Sequence, residues 1–262
     1  MLKGIDVIYW INLERAKTRR ADMNAVFRDS AFEGMSINRI SAFDYKKTDT
    51  MSHFTLQKSD YVITIPEYTN FLSHIETIRG FSNSDYSDDA VALIMEDDIT
   101  LEYKPYWKKS VKTVIEHAPS DWQIMMLSYM VRNMRSENVT KFDEYEKNNN
   151  RFYCSGAYLI RKRACKELIN EMYKDGKYTL DLDLPVNYHA IDVYLYQKLT
   201  TYAYKYPYFT YKTVGSYLHP KHLKCQKKTK LYVSKNIYGI DATTKRRRSP
   251  KPSFTRTRKN KT

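Results

Sequence analysis

The chain has 262 residues, 42% of them hydrophobic, with only 7 glycines and 8 prolines, which suits one large α/β domain or two small ones and excludes fibrous and low-complexity classes. Residues 245–262 hold nine Lys or Arg and no acid; the formal net charge of +14, less those nine, leaves +5 for residues 1–244, so the pI near 9.4 belongs largely to the tail and does not mark a nucleic-acid-binding domain. Three cysteines (Cys154, Cys165 and Cys225) offer neither a disulfide framework nor a zinc spacing, no apolar run reaches about 18 residues, and Asp6 interrupts the first apolar stretch; a cytoplasmic protein with no signal peptide and no membrane span is expected.

Residues 5–11 form a near-continuous apolar run, the pattern of a strand buried on both faces. A helix is predicted from about Ala16 to Phe27, with Met23, Val26 and Phe27 at helical spacing, and a short strand near Ser36–Ile40. This β-α-β opening favours an α/β architecture. Residues 44–65 are polar and give no clear element. Pro66 opens a helix whose stripe is Phe71, Ile75 and Ile78, with Leu72 beside it. A second buried-type strand covers Ala90–Met95, a helix about Tyr106–His117, and a third strand Asp121–Leu127. Residues 132–151 are charged and contain Asn148-Asn149-Asn150, which reads as a mobile loop. A strand at Ala157–Ile160 precedes a helix burying Ala164, Cys165, Leu168, Ile169 and Met172. A loop over 175–190 with three acids, a helix over Ile191–Leu199 and a Tyr-rich strand over Tyr202–Phe209 follow. The expected folded unit is 1–240, with 241–262 a basic, disordered tail.

The most informative segment is Ala90–Ile99, where an apolar strand ends in Glu96-Asp97-Asp98. Ligand sites in open α/β sheets lie at the carboxyl ends of strands. Alternation along the strand sends Glu96 and Asp98 to one side and Asp97 to the other. Carboxylates held together repel, and a hard divalent cation, which prefers oxygen ligands, relieves the repulsion. A diphosphate could fill its remaining positions. The bland alternative is a solvated acidic turn.

The same segment belongs to an ordered set of motifs. Tyr9-Trp10-Ile11-Asn12-Leu13-Glu14-Arg15, followed by Arg19-Arg20, resembles the opening of glycosyltransferase family 25. Leu72-Ser73-His74, Leu93–Asp98, Ser155–Ile160, Ala190–Leu195 and Gly215-Ser216-Tyr217-Leu218-His219 resemble later family segments in the right order, over roughly residues 5–220. The resemblance implies a GT-A-type nucleotide-diphospho-sugar transferase fold, an α/β fold with a mixed central sheet flanked by helices. It also implies a UDP-sugar donor (UDP-galactose or UDP-glucose), manganese or magnesium, a glycan or hydroxylysine-type acceptor, and inversion at the sugar carbon.

The family's acidic motif maps onto Glu96, Asp97 and Asp98, and its donor-side opening onto Asn12, Leu13 and Arg15. Asp98 is the leading metal ligand; Glu96 either shares the metal or holds the donor's ribose, and Asp97 either joins the donor site or caps the turn. The motif starts with Glu96 where the family has Asp, which leaves open which carboxylate touches metal. His219 either closes the metal shell or is a surface-loop histidine. His74 is a donor-site residue or a packed core histidine. Arg15 is the arginine expected at phosphates; Arg19 and Arg20 read as solvated surface. The base that inversion requires is assigned first to Asp192, with Asp181 and Asp183 behind it. Asp192 could instead only complement a helix dipole, and it follows His189-Ala190-Ile191 where the family has Pro-Val-Asp. The alternative function is a polyanion- or nucleic-acid-binding protein that acts through the basic tail, with an inert transferase-like fold. Richness in Lys, Asn and Tyr suggests a large DNA virus or an AT-rich microbe, which would place the protein in host cytoplasm or virion.

Overall fold

The computed structural model describes residues 1–55, 63–131, 143–180, 184, 190–212 and 222–240. In chain order the elements are β1 (Val7–Leu13), α1 (Lys17–Val26), β2 (Ile37–Ala42), β3 (Phe54–Thr55), α2 (Ile65–Ser82), β4 (Val91–Glu96), β5 (Ile99–Thr100), α3 (Val111–Glu116), β6 (Ile124–Met126) and β7 (Met130–Val131). They continue with β8 (Tyr145–Lys147), β9 (Phe152–Tyr153), β10 (Ala157–Arg161), α4 (Lys162–Met172), β11 (Tyr173–Lys174), β12 (Lys177–Thr179), α5 (Ile191–Lys198), β13 (Thr201–Tyr204), β14 (Thr210–Tyr211) and α6 (His222–Tyr232).

Seven strands form one sheet in the order β2-β1-β4-β10-β6-β13-β8. The β2-β1-β4 and β6-β13 pairs are parallel, whereas β10 and β8 run antiparallel to their neighbours. The chain is therefore a mixed α/β protein. Side chains of the central strands alternate between two cores. Val7, Ile11, Ala92, Ile94, Tyr158 and Ile160 join the core under α2, α4 and α5. Ile8, Trp10, Leu93, Met95 and Leu159 face the opposite side with Met23, Val111 and Val114. Burial of both faces explains why β1 and β4 read as continuous apolar runs.

Helix α2 is the main wedge of the first core. Phe71, Leu72, Ile75, Ile78 and Phe81 are fully buried. Its start is held by Glu67, whose carboxylate accepts from both the backbone N–H and the hydroxyl of Thr64 at 2.7 Å; such caps satisfy donors that a helix start leaves unpaired.

Several expectations are corrected. The helix over 106–117 shrinks to Val111–Glu116, because the Ser110 hydroxyl accepts from the Thr113 N–H at 3.1 Å and caps a later start. Trp107 leaves the helical path, and its Nε1 donates to the Tyr208 carbonyl at 2.8 Å. The loop over 132–151 contains the edge strand β8, which pairs with β13; residues 132–142 lie outside the described residues. The strand over 202–209 stops at Tyr204, and the chain resumes as β14 against β5. Helix α6 has no counterpart in the sequence reading, since its buried side carries the polar Gln226 and Thr229 and so shows no apolar stripe. The tail 241–262 lies outside the described residues. No helix among the described residues is long and apolar enough to cross a membrane.

Leu93 is fully buried at the centre of the sheet. Leu93→Ala should cost about 2–5 kcal/mol of stability by urea denaturation, from lost burial and the cavity left behind.

Candidate functional site

The parallel strands β1, β2 and β4 all end at the same edge of the sheet, where the first turns of α2 face them. A cleft of about 230 Å³ opens there. Its walls come from Leu13 at the end of β1 and Arg15 beyond it, Arg19 of α1, Phe43, Tyr45 and Lys46 after β2, Thr69 and Ser73 of α2, Glu96 at the end of β4, and Asp97 and Asp98 beyond it. The alternation expected for the triplet stops at Glu96, because β4 ends there and Asp97-Asp98 form a turn into β5. All three acids therefore reach the same cleft.

Each acid has a different environment. Glu96 Oε1 accepts from the Ser155 hydroxyl at 2.6 Å and lies 3.3 Å from His74 Nε2. His74 is fully buried and held from its other side by the Tyr158 hydroxyl at 3.1 Å. Burial pushes the Glu96 carboxyl up, but the hydrogen bonds from His74 and Ser155 and the charge of Arg19 outweigh it and hold the group below its ordinary value. Asp97 accepts from Asn12 Nδ2 and from Arg19 Nη1, both at 2.7 Å. Arg19 is 4.0 Å from Asp98, the third acid. Burial first, and the neighbouring Glu96 charge second, push the Asp98 carboxyl up to about 7.

Other residues singled out in the sequence divide by place. Leu13 and Arg15 stand on the cleft wall, with Arg15 paired to Asp44 at 2.7 Å. Asn12 is buried behind the wall: its amide donates to Asp97, and its carbonyl accepts from Arg20 and Arg39 at 3.1 Å. His74 likewise sits behind Glu96. Asp192, in the first turn of α5, is off the wall; its Oδ2 accepts the Cys154 N–H at 2.8 Å, and burial raises its carboxyl above the ordinary value. It is nevertheless tied to the cluster, since the next residue, Ser155, holds Glu96. Asp181, Asp183 and His219 lie outside the described residues.

Arg19, Ser155 and Ser73 are cleft or cleft-supporting residues to which the sequence motifs holding them assigned no site role. A signal existed for Arg19. Ala16 and Met23 are buried, and position 19 falls on the stripe that joins them. Ser155 had none, because its partner is 59 positions away.

The segment 154–156 is under constraint. Cys154 has φ 104°, a conformation unusual for a non-glycine residue. Its N–H is held by Asp192 and its carbonyl accepts from the Tyr196 hydroxyl at 2.7 Å. A side chain at Gly156 would meet Ile99 Cδ1 at 3.0 Å, Ser128 Oγ at 3.1 Å and Cys154 Sγ at 3.2 Å, so any larger residue presses on three neighbouring side chains.

Among the described residues, no three His, Cys, Asp or Glu are grouped as a metal cage. The carboxylates of Glu96 and Asp98 are the described groups that could hold a cation. As hard oxygen donors they fit Mn²⁺ or Mg²⁺ rather than zinc, with the remaining positions left to water or a bound phosphate.

The raised value of Asp98 has a checkable sign. The folded protein retains a proton that the unfolded chain releases near 3.8, so stability falls as pH rises from there to about 7 and then levels off. In chelator-treated protein, Asp98→Asn should therefore stabilise by a few kcal/mol above neutrality, with the gain shrinking towards pH 4. Urea titrations across that range measure it, and a gain independent of pH would contradict the assignment.

None of the curated proteins matches the chain. The family model for glycosyltransferase family 25 (LPS biosynthesis protein) matches residues 5–188, a span holding every described wall residue of the cleft. The chain belongs to glycosyltransferase family 25.

Proposed function

We propose that the protein transfers a hexose, galactose or glucose, from a UDP-sugar to a hydroxyl of a glycan or hydroxylysine-type acceptor, with inversion, on a GT-A-type fold. The observation that carries this reading is the acidic turn at the end of β4, opening on a cleft that Arg15, Arg19 and Lys46 also line. Carboxylates and cations lining one cleft of about 230 Å³ suit a cation–diphosphate pair better than either partner alone.

Glu96 and Asp98 would hold Mn²⁺ or Mg²⁺ in this reading, and His219 is the third candidate ligand. Bound there, the ion supplies charge neutralisation for the departing nucleoside diphosphate. Arg15, half-exposed beside Asp44, swings between that carboxylate and a donor phosphate. Arg19 pins Asp97 through a charged hydrogen bond at 2.7 Å. Asn12 and His74 position Asp97 and Glu96. Asp192 takes the proton of the acceptor hydroxyl while the hydroxyl oxygen bonds to the anomeric carbon and the bond to the diphosphate breaks. Its raised carboxyl makes it a better base than an exposed aspartate. Asp181 and Asp183 remain the alternatives for this role.

We expect one UDP-hexose among several to be turned over with Mn²⁺, and chelation to abolish the turnover. Asp98→Ala should lower kcat/KM by about 10²–10³-fold and remove the rise in Tm that Mn²⁺ gives the native protein. If every donor survives saturating Mn²⁺, the reading fails.

Asp192→Asn should lower kcat by about 10²–10⁴-fold with donor affinity unchanged in calorimetry. A loss of donor affinity instead would place Asp192 in support of Glu96 rather than at the acceptor.

A further inference from the structure

Helix α6 and the π-turn after it (Val233–Ile237) present an unusual face. At 100° per residue, positions 224, 227, 228 and 231 share one side of the helix, and position 235 follows them into the turn. These are Lys224, Lys227, Lys228, Leu231 and Lys235, and all five are exposed. None of the four lysines forms an ion pair with a described residue. Their chain neighbour Lys230, on another side, is paired with Glu102. Leu231 is 69% exposed, the most exposed large hydrophobic residue among those described. The opposite side of the helix is fixed: Gln226, Thr229, Val233 and Ile237 are buried, the Gln226 carbonyl accepts from the Tyr211 hydroxyl at 3.3 Å, and the Lys230 carbonyl accepts from the Tyr103 hydroxyl at 3.2 Å. The lysine face is therefore held outward by packing.

We propose that this face docks the protein on an anionic lipid surface, with the four lysines over the headgroups and Leu231 inserted between them. Two features favour a lipid bilayer over a nucleic acid. An apolar side chain at the middle of a cationic arc gains by entering the acyl boundary, whereas it gains nothing against phosphodiesters. The cations are all lysine, and point charges on flexible stems suit a diffuse negative surface, whereas the planar fork of arginine suits discrete phosphates. The basic composition after residue 244 carries charge of the same sign and would add to the attraction. The inference is independent of the chemistry assigned to the cleft.

The test is co-sedimentation of the full chain with phosphatidylcholine vesicles, with and without phosphatidylserine, keeping the tail intact in every variant. Binding should require phosphatidylserine and weaken with salt. Replacing Lys224, Lys227, Lys228 and Lys235 together by Gln should weaken it by roughly several hundredfold, since each lysine near such a surface contributes about fivefold. Leu231→Ala, which leaves the charge unchanged, should weaken it on the order of tenfold. All these residues are exposed, so circular dichroism should show an unchanged fold. Absence of phosphatidylserine-dependent binding overturns the proposal. So does binding indifferent to these variants, which would assign the attraction to the tail. Tighter binding to duplex DNA than to vesicles, with Leu231→Ala neutral, would make the face a polyanion site and overturn it equally.

Discussion

Three successive carboxylates at the end of a buried strand repel one another, and the local structure is arranged around that repulsion. Arg19 neutralises Asp97, which is also held by Asn12. Glu96 is held by Ser155 and His74. Asp98 receives the least: Arg19 stands at 4.0 Å, and burial and the other acids press its carboxyl towards the neutral form. Of the three, Asp98 is the acid that the surroundings favour in its neutral form, whereas Glu96 is held in its charged form. The field at this end of β4 is therefore set by fixed partners of the acids rather than by mobile side chains.

Helix α2 links that electrostatic arrangement to the core. One stripe of the helix fills the space under the sheet with Phe71, Ile75 and Ile78. The adjacent position, His74, reaches Glu96 from below. Ser73 and Thr69 look towards the cleft, and the Ser73 hydroxyl accepts the Phe43 N–H at 3.0 Å, which fixes the chain after β2. The packing that stabilises the fold thus also sets the depth of the cleft.

Strands β1 and β4 and helices α1, α2 and α4 were legible because two-sided burial and helical stripes leave strong apolar patterns. The antiparallel direction of β10 was not, since an apolar run carries no information about the direction of its partners. Helix α6 escaped because it buries Gln226 and Thr229. In the site, the acidic triplet and Arg15 stood out by type and position. The inward turn of Arg19 depends on how α1 docks against β1, and the role of Ser155 depends on a fold that brings it beside Glu96. Asn12 and His74 were identified as residues that matter, but their burial makes them supports behind the wall, a distinction that only side-chain surroundings reveal.

The three residues from Cys154 to Gly156 have one more implication. Their backbone is clamped at Asp192, at Tyr196 and, through the Gly156 carbonyl, at the Glu96 N–H at 2.9 Å. The start of α5 and the end of β4 are thereby geared together like two wheels on one axle. Their carboxylates cannot drift apart to suit a bulkier molecule. Tolerance for different molecules must then be written at the rim, in segments such as Phe43–Lys46, while the distance between the two acids stays constant.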